Sequence, residues 1–184
     1  MPPKVRIACE SDSQEISALV NRAYRPPLHK AGWTHESNLV AGERICAEQV
    51  RALFNEQSTI LLLFVGSEIV ACVHVKVDMP GAYIGMLATD PSMQNQGIGK
   101  QMMHLAEAYA MENYGATLLK ISVLSSRAEL LAFYERLGYV RTGEEEGYPL
   151  SAGVGQPMIP DLKVLFLAKA PANPAFQRTA SGGR

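Results

Sequence analysis

Three strand-type runs follow one another in the middle of this chain, and the third leads into a glycine-bearing loop and a long helical pattern. Thr59–Val65 is almost continuously apolar, as a buried strand is. Gly66-Ser67 makes a hairpin turn. Ile69–Val77 then alternates, with Ile69, Ala71, Val73, Val75 and Val77 predicted on one face. Pro80-Gly81 turns the chain into a further strand over Ala82–Thr89. Beyond the loop, Ile98, Met102, Leu105, Ala106, Tyr109 and Ala110 recur at the helical period, which predicts a helix to about Tyr114.

The flanks extend this pattern. Val5–Cys9 reads as a short strand, and Asp12 or Ser13 caps a helix with Ile16, Leu19, Val20 and Ala23 inward. That helix stops before Pro26-Pro27. A second helix fits Glu43–Asn55, with Ile45, Val50, Leu53 and Phe54 inward. After the long helix come a strand over Thr117–Leu124, a helix over Arg127–Leu137, a strand from Tyr139 to Thr142 and a last strand over Leu162–Ala168. The order β-α-α-β-β-β-α-β-α-β-β predicts an α/β fold, a mixed sheet with helices on both faces. With no internal repeat or linker, residues 1–170 are expected to form one domain, and the Pro-, Ala-, Ser- and Gly-rich stretch 171–184 a disordered tail.

Composition narrows the partners. Apolar residues make up 47% of the 184 and charged ones 19%, the balance of a globular chain. Seventeen Lys and Arg oppose 18 Asp and Glu, so a net charge of −1 gives no general reason to expect nucleic acid or an anionic membrane. The longest apolar run, Ile60–Val65, is too short to span a bilayer, and the N-terminus does not read as a signal peptide. Cys9, Cys46 and Cys72 are odd in number and far apart, which argues against a disulfide framework or a zinc site and for buried apolar thiols. No His, Cys or carboxylate cluster has metal-ligand spacing. Cytoplasm is the default compartment. The oligomeric state is open, and a homodimer is compatible with it.

The informative stretch is Leu87-Ala-Thr-Asp-Pro-Ser-Met-Gln-Asn-Gln-Gly-Ile-Gly-Lys100. A strand, a turn, two glycines and a helix place several backbone N–H groups at a helix N-terminus, where they can bind phosphate. A Walker loop would need Gly at position 94 and Ser or Thr after Lys100, where Gln94 and Gln101 stand. A dinucleotide fingerprint would need Gly at Met102 and an early βαβ unit. The remaining pattern, Gln or Arg, two residues, Gly, one residue, Gly or Ala, is met by Gln94, Gly97 and Gly99. The string alone is equally compatible with a glycine turn that only starts a helix.

Further along lies Ala132-Phe-Tyr-Glu-Arg-Leu-Gly-Tyr139, preceded by a strand. Tyr83–Thr89, Gln94–Gly99 and Phe133–Tyr139 together resemble the GNAT family of N-acetyltransferases in order and spacing, and the element order agrees from Val5 to about Ala168. The resemblance implies acetyl-coenzyme A as acyl donor, with no metal. It implies a splay between Ala82–Thr89 and Thr117–Leu124 that the pantetheine arm fills, with Gly85 marking a bulge. Leu87, Ala88 and Thr89 would carry that arm, backbone groups of Leu87 and Thr89 pairing its amides and an N–H near Leu87 facing the thioester oxygen. The pyrophosphate would sit on the N–H groups of Gln94, Asn95, Gln96, Gly97, Ile98, Gly99 and Lys100.

Tyr134 matches the family's usual general acid, which protonates the departing thiolate. It also falls beside the apolar stripe of Leu130, Phe133 and Leu137, so a core tyrosine with a tethered hydroxyl is the competing reading. Many members carry Asn at the start of the last helix. Here Ser125, Ser126 and Arg127 stand there, and Ser126 is the candidate contact or a mere cap.

The base is not identified. Glu36 and His35 lie in the irregular segment Leu28–Ala41, which in the family borders the acceptor site, and His74 is a third candidate whose plain reading is a sheet histidine. Trp33 is either an acceptor platform or a loop anchor. Glu144-Glu145-Glu146 is read as opening a second long connection over the acceptor site, either drawing in a cationic amine or simply solvated. The expected function is acetyl transfer to a primary amine of a small molecule or peptide by direct attack on the thioester. The competing reading is an acetyl-coenzyme A-binding sensor without turnover, and a nucleotide-binding domain is the third.

Overall fold

The computed structural model describes residues 3–26 and 35–171. A seven-stranded mixed sheet has the order β1-β3-β4-β5-β6-β9-β7. Its strands are β1 (Lys4–Ile7), β3 (Ser58–Val65), β4 (Glu68–Asp78), β5 (Gly81–Thr89), β6 (Leu119–Leu124), β7 (Val140–Gly147) and β9 (Lys163–Lys169). Among the described residues four α-helices accompany it: α1 (Ser13–Tyr24), α2 (Ala47–Arg51), α3 (Ile98–Tyr114) and α4 (Ala128–Arg136). Two short strands, β2 (Val40–Ala41) and β8 (Gln156–Pro157), pair with each other apart from the main sheet. The α/β class, the mixed sheet and the order of its seven strands and four helices are those expected from the sequence, while the β2–β8 pair is an addition to it.

Each face of the sheet has its own core, because alternate residues of a strand point to opposite sides. Leu61, Leu63, Val73 and Val75 pack with Met102, Met103, Ala106 and Ala110 of α3 and Leu131 of α4. Ile60, Leu62 and Cys72 pack with Ile16, Leu19 and Val20 of α1 and Val50 of α2. Burying side chains of this size contributes about 1.5–3 kcal/mol each against leaving them in water. Ile69, expected beside Val73, lies in the α1-side core instead. The register shift between Leu63 and Phe64 opposite it breaks the simple alternation at that end of β4. On the α3 side, buried Glu107 is satisfied by Lys169 Nζ at 2.8 Å and Tyr139 Oη at 3.0 Å.

Helix α2 is shorter than Glu43–Asn55. The Asn21 carboxamide accepts from the Arg44 N–H at 2.7 Å and donates to the Ile45 carbonyl at 2.8 Å. That pairing removes the helical hydrogen bonds those groups would otherwise seek. Cys46 then caps the helix, with Gln49 Oε1 accepting from its N–H at 2.8 Å. Strand β7 continues past Thr142 through the glutamate run, and all its residues are exposed at the sheet edge. Glu145 pairs with Lys163 of β9. Charges on an edge strand discourage pairing with other chains.

Candidate active site

Strands β5 and β6 run parallel but pair only at Ala82–Leu119 and Tyr83–Lys120. Beyond these pairs they separate, β5 continuing to Thr89 and β6 to Leu124. The closed end is tight: a Cβ on Gly81 would lie 1.9 Å from the Leu118 carbonyl oxygen, so only glycine permits this approach. The Tyr83 hydroxyl bonds Ser122 Oγ across the two strands at 2.5 Å. On its other edge β5 slips register against β4, between Cys72–Ala88 and His74–Gly85. The bulge expected at Gly85 falls at Met86, which has φ 46°, because the buried Met86 side chain anchors that turn in the α1-side core. A non-glycine residue in this conformation stores of order 1 kcal/mol. Gly85 instead makes room for a ring, its absent Cβ leaving space 2.7 Å from Tyr83 Cε1.

After β5, Asp90 caps a 3₁₀ turn at Pro91–Met93, accepting from the Ser92 N–H at 3.0 Å, and is pinned to Arg22 of α1 at 3.1 Å. Asn95 and Gly97 both adopt positive φ, 63° and 78°, and α3 starts at Ile98. The first turn of this long helix lines the same cavity as the β5 residues at the gap, with no acidic residue in that turn to compete for an anion.

A cavity of about 210 Å³ joins loop and gap. Of the residues singled out in the sequence, Leu87, Thr89, Gln94, Asn95, Gly97, Ile98, Gly99, Lys100 and Tyr134 line it. Ala88 is buried in the α1-side core, while Gln96 and Ser126 are exposed, and these three lie outside the walls of both cavities described here. Arg127, not Ser126, forms the wall at the start of α4.

A second cavity of about 260 Å³ lies against it, bounded by Tyr83, Ser122, Glu36, Arg44 and the segment around Tyr148–Val154. Tyr24, Leu87, Arg127, Leu130 and Tyr134 belong to both, so the two spaces meet at those side chains. Tyr134 is buried, which pushes its phenol far above the usual range. Burial likewise pushes Tyr24 up to about 12, and its hydroxyl donates to the Leu87 carbonyl at 2.9 Å. Both phenols thus hold their protons at neutral pH.

The family profile described as Acetyltransferase (GNAT) domain matches residues 32–148. The chain belongs to the GNAT acetyltransferase family. The S-(2-succino)cysteine N-acetyltransferase of Bacillus subtilis (strain 168) is 25% identical over 154 residues, covering 79% of this chain and 89% of that relative. The PaiA N-acetyltransferase of Thermoplasma acidophilum, solved in complex with coenzyme A, superposes with TM-score 0.69 at 15% identity over 93% of this chain and 100% of that one. A GNAT family acetyltransferase from Elizabethkingia anophelis with acetyl-CoA bound gives TM-score 0.66 at 16% identity, covering 92% and 98%. The structural likenesses establish the fold, and family and curated relative together make this an N-acetyltransferase. Among the described residues no helix is long and apolar enough to cross a membrane.

In this GNAT enzyme Glu36 is no surface carboxylate. Buried in the second cavity's wall, it accepts from Arg25 Nη1 at 2.6 Å and from Arg127 Nη1 at 3.0 Å. Arg25 also donates to the Val154 carbonyl at 3.1 Å, and Gln49 Nε2 to that of Ala152 at 3.2 Å. With the β2–β8 pair, these bonds clamp the two irregular segments together over the second cavity. His74 lines neither cavity: its Nε2 bonds Ser58 Oγ at 2.6 Å, and burial lowers its pKa to about 4. His35 is half-buried and lines neither cavity, and Trp33 lies outside the described residues. The glutamates 144–146 belong to β7 rather than to a connection, and they line neither cavity. Cys9 is exposed, so only Cys72 of the three thiols is fully buried.

Tyr24, Arg44 and Tyr148 were not singled out in the sequence. For Tyr24 a signal existed: Ile16, Val20 and Tyr24 follow one another at four-residue steps, which puts the tyrosine on the buried face of α1 at its C-terminal end.

Proposed function

We propose that this enzyme transfers the acetyl group of acetyl-coenzyme A to a primary amine of a small molecule or peptide by direct attack on the thioester. The observation that carries the reading is the meeting of two cavities at Leu87 and Tyr134, one backed by a helix N-terminus and one by the interlocked segments. In the proposal the N–H groups from Gln94 to Lys100 hold the pyrophosphate, with positive φ at Asn95 and Gly97 turning the backbone toward it. The β5 edge at Leu87, Ala88 and Thr89 carries the pantetheine arm within the gap. The acyl donor supplies an activated thioester. The Leu87 N–H faces its oxygen and stabilises the negative charge that grows there, while Tyr24 fixes the same residue through its carbonyl. Tyr134 gives its proton to the leaving thiolate, a phenol being protonated at neutral pH.

Glu36 is the carboxylate of the acceptor wall. Each of its oxygens already accepts from a guanidinium, so taking the amine's proton would compete with two ion pairs. We assign it first the task of holding Arg25 and Arg127, with water carrying the proton away. A Glu36→Gln variant checks this: a lost alkaline-rising limb in the kcat/KM profile would make Glu36 the base.

Tyr134→Phe tests the reading as a whole. Thiol release should fall about 10²–10⁴-fold, the usual span for a general acid, while acetyl-coenzyme A still binds in calorimetry. Unchanged turnover would remove Tyr134 as the acid. Binding without turnover by the unaltered enzyme, for every amine offered, would favour the sensor reading.

A further inference from the structure

We infer that the acceptor is an amine that carries its own carboxylate close by, an α-amino-acid-type molecule, and that Arg44 reads that carboxylate. The inference rests on the acetyl transfer proposed above and names its substrate class. Among the described residues, the charged groups lining the second cavity are Glu36, Arg44 and Arg127, and Arg25 pairs with Glu36. Three guanidinium groups thus stand against one carboxylate, and both oxygens of that carboxylate are engaged. The cavity is a positive one, which disfavours a polyamine or any other bare cation.

Arg44 is placed to do the reading. Its guanidinium stacks 5.6 Å from the centre of the Tyr24 ring, the same tyrosine whose hydroxyl is bonded to the Leu87 carbonyl. It is therefore one ring away from the point where the two cavities meet. Among the described residues it joins none of the ion pairs, yet it is half-buried in the wall of the acceptor space. Its backbone is fixed by the 2.7 Å bond from its N–H to Asn21, so the side chain projects from a rigid base. A planar guanidinium of this kind binds a carboxylate with two parallel hydrogen bonds.

The same charges serve the chemistry. Positive groups around the acceptor disfavour its ammonium form, so more of the amine is neutral and able to attack. The carboxylate offsets the cost of bringing that amine into a positive cavity. A chain that has no committed base among the acceptor-wall residues gains part of the deprotonation from the field instead.

The test uses matched pairs on the whole enzyme: L-phenylalanine with phenethylamine, L-methionine with 3-(methylthio)propylamine, L-leucine with isoamylamine, and the corresponding amino-acid amides. Thiol release from acetyl-coenzyme A gives kcat/KM, and calorimetry on the coenzyme A-loaded protein gives binding without turnover. The carboxylated member of a pair should exceed both its decarboxylated partner and its amide at least tenfold. Arg44→Gln should shrink that ratio at least tenfold, mainly through the acceptor KM, and Arg44→Lys should restore part of it. A carboxylate preference in binding with no thiol release would sink the transfer reading and leave the inference standing. Bare amines or amides acetylated as well as the acids would do the reverse, and so would an Arg44→Gln variant that keeps the full ratio. Binding of neither member of any pair would also overturn the inference.

Discussion

Replacing Glu36 by glutamine should destabilise the protein by about 3 kcal/mol. The side chains of Glu36, Arg25 and Arg127 keep only 8%, 7% and 7% of their exposure, so removing the carboxylate charge leaves two guanidinium groups facing each other away from water. Breaking a buried ion pair by deleting one partner costs about 3–5 kcal/mol. The lower end applies here because Arg25 retains its bond to the Val154 carbonyl. For a domain of this length each kcal/mol moves Tm by roughly 2–4 °C, so the melting point should drop by roughly 6–12 °C. Urea unfolding followed by circular dichroism measures the loss directly, provided the m-value is unchanged. A double variant with Arg127→Met should be less unstable than the two singles added together, by roughly 0.5–3 kcal/mol, since the two side chains are coupled through their ion pair. A loss under about 1 kcal/mol together with additive singles would mean that the triad is solvated and is not the clamp of the acceptor cavity.

Three further outcomes follow from the same geometry. Gly99→Val should weaken acetyl-coenzyme A binding more than tenfold in calorimetry with little change in Tm, because its Cβ meets neighbours only at ordinary contact, 3.9 Å from Phe133 Cζ. Gly97→Val should lower both, since its φ of 78° strains any side chain. His74 titrates near 4 when folded against an unperturbed value of about 6.5, so the unfolded chain binds the extra proton between those values and stability falls as pH drops through that window. Between pH 7 and 5 the unaltered enzyme should lose roughly 1–2 kcal/mol more than His74→Gln in urea titrations, and equal losses would refute the assignment. In a thiol titration with a coloured disulfide reagent, exposed Cys9 should react at once and Cys72, whose pKa burial raises to about 12, only on unfolding.

The sequence carried the architecture because the relevant signals are local. The helical period of Ile98, Met102, Ala106 and Ala110 marks the face of α3 that the structure buries. The Gln94–Gly99 spacing locates the helix N-terminus that backs the first cavity. What escaped was long-range. Glu36 meets Arg127 from 91 residues away in the chain, and no periodicity reports such a pair. The β2–β8 pairing of Val40 with Pro157 involves two residues on each side, too few for an alternation to show. The glutamates 144–146 read as a loop because a charged run without apolar partners lacks a strand signature, yet β9 offers a free edge and the backbone pairs with it. The Asn21 side chain delays the start of α2 to Ala47 through bonds visible only once α1 and the 44–45 segment lie together. In the site, the positive character of the acceptor wall escaped for the same reason, since Arg44 and Arg127 come to one cavity through the fold and not through spacing.

The most direct measurement is a crystal structure of the enzyme with coenzyme A. The account predicts the pyrophosphate on the N–H groups of Gln94 to Lys100, the pantetheine arm in the gap between β5 and β6, and the sulfur within hydrogen-bond reach of the Tyr134 hydroxyl. A cofactor bound elsewhere, or a sulfur remote from Tyr134 and Leu87, would contradict it.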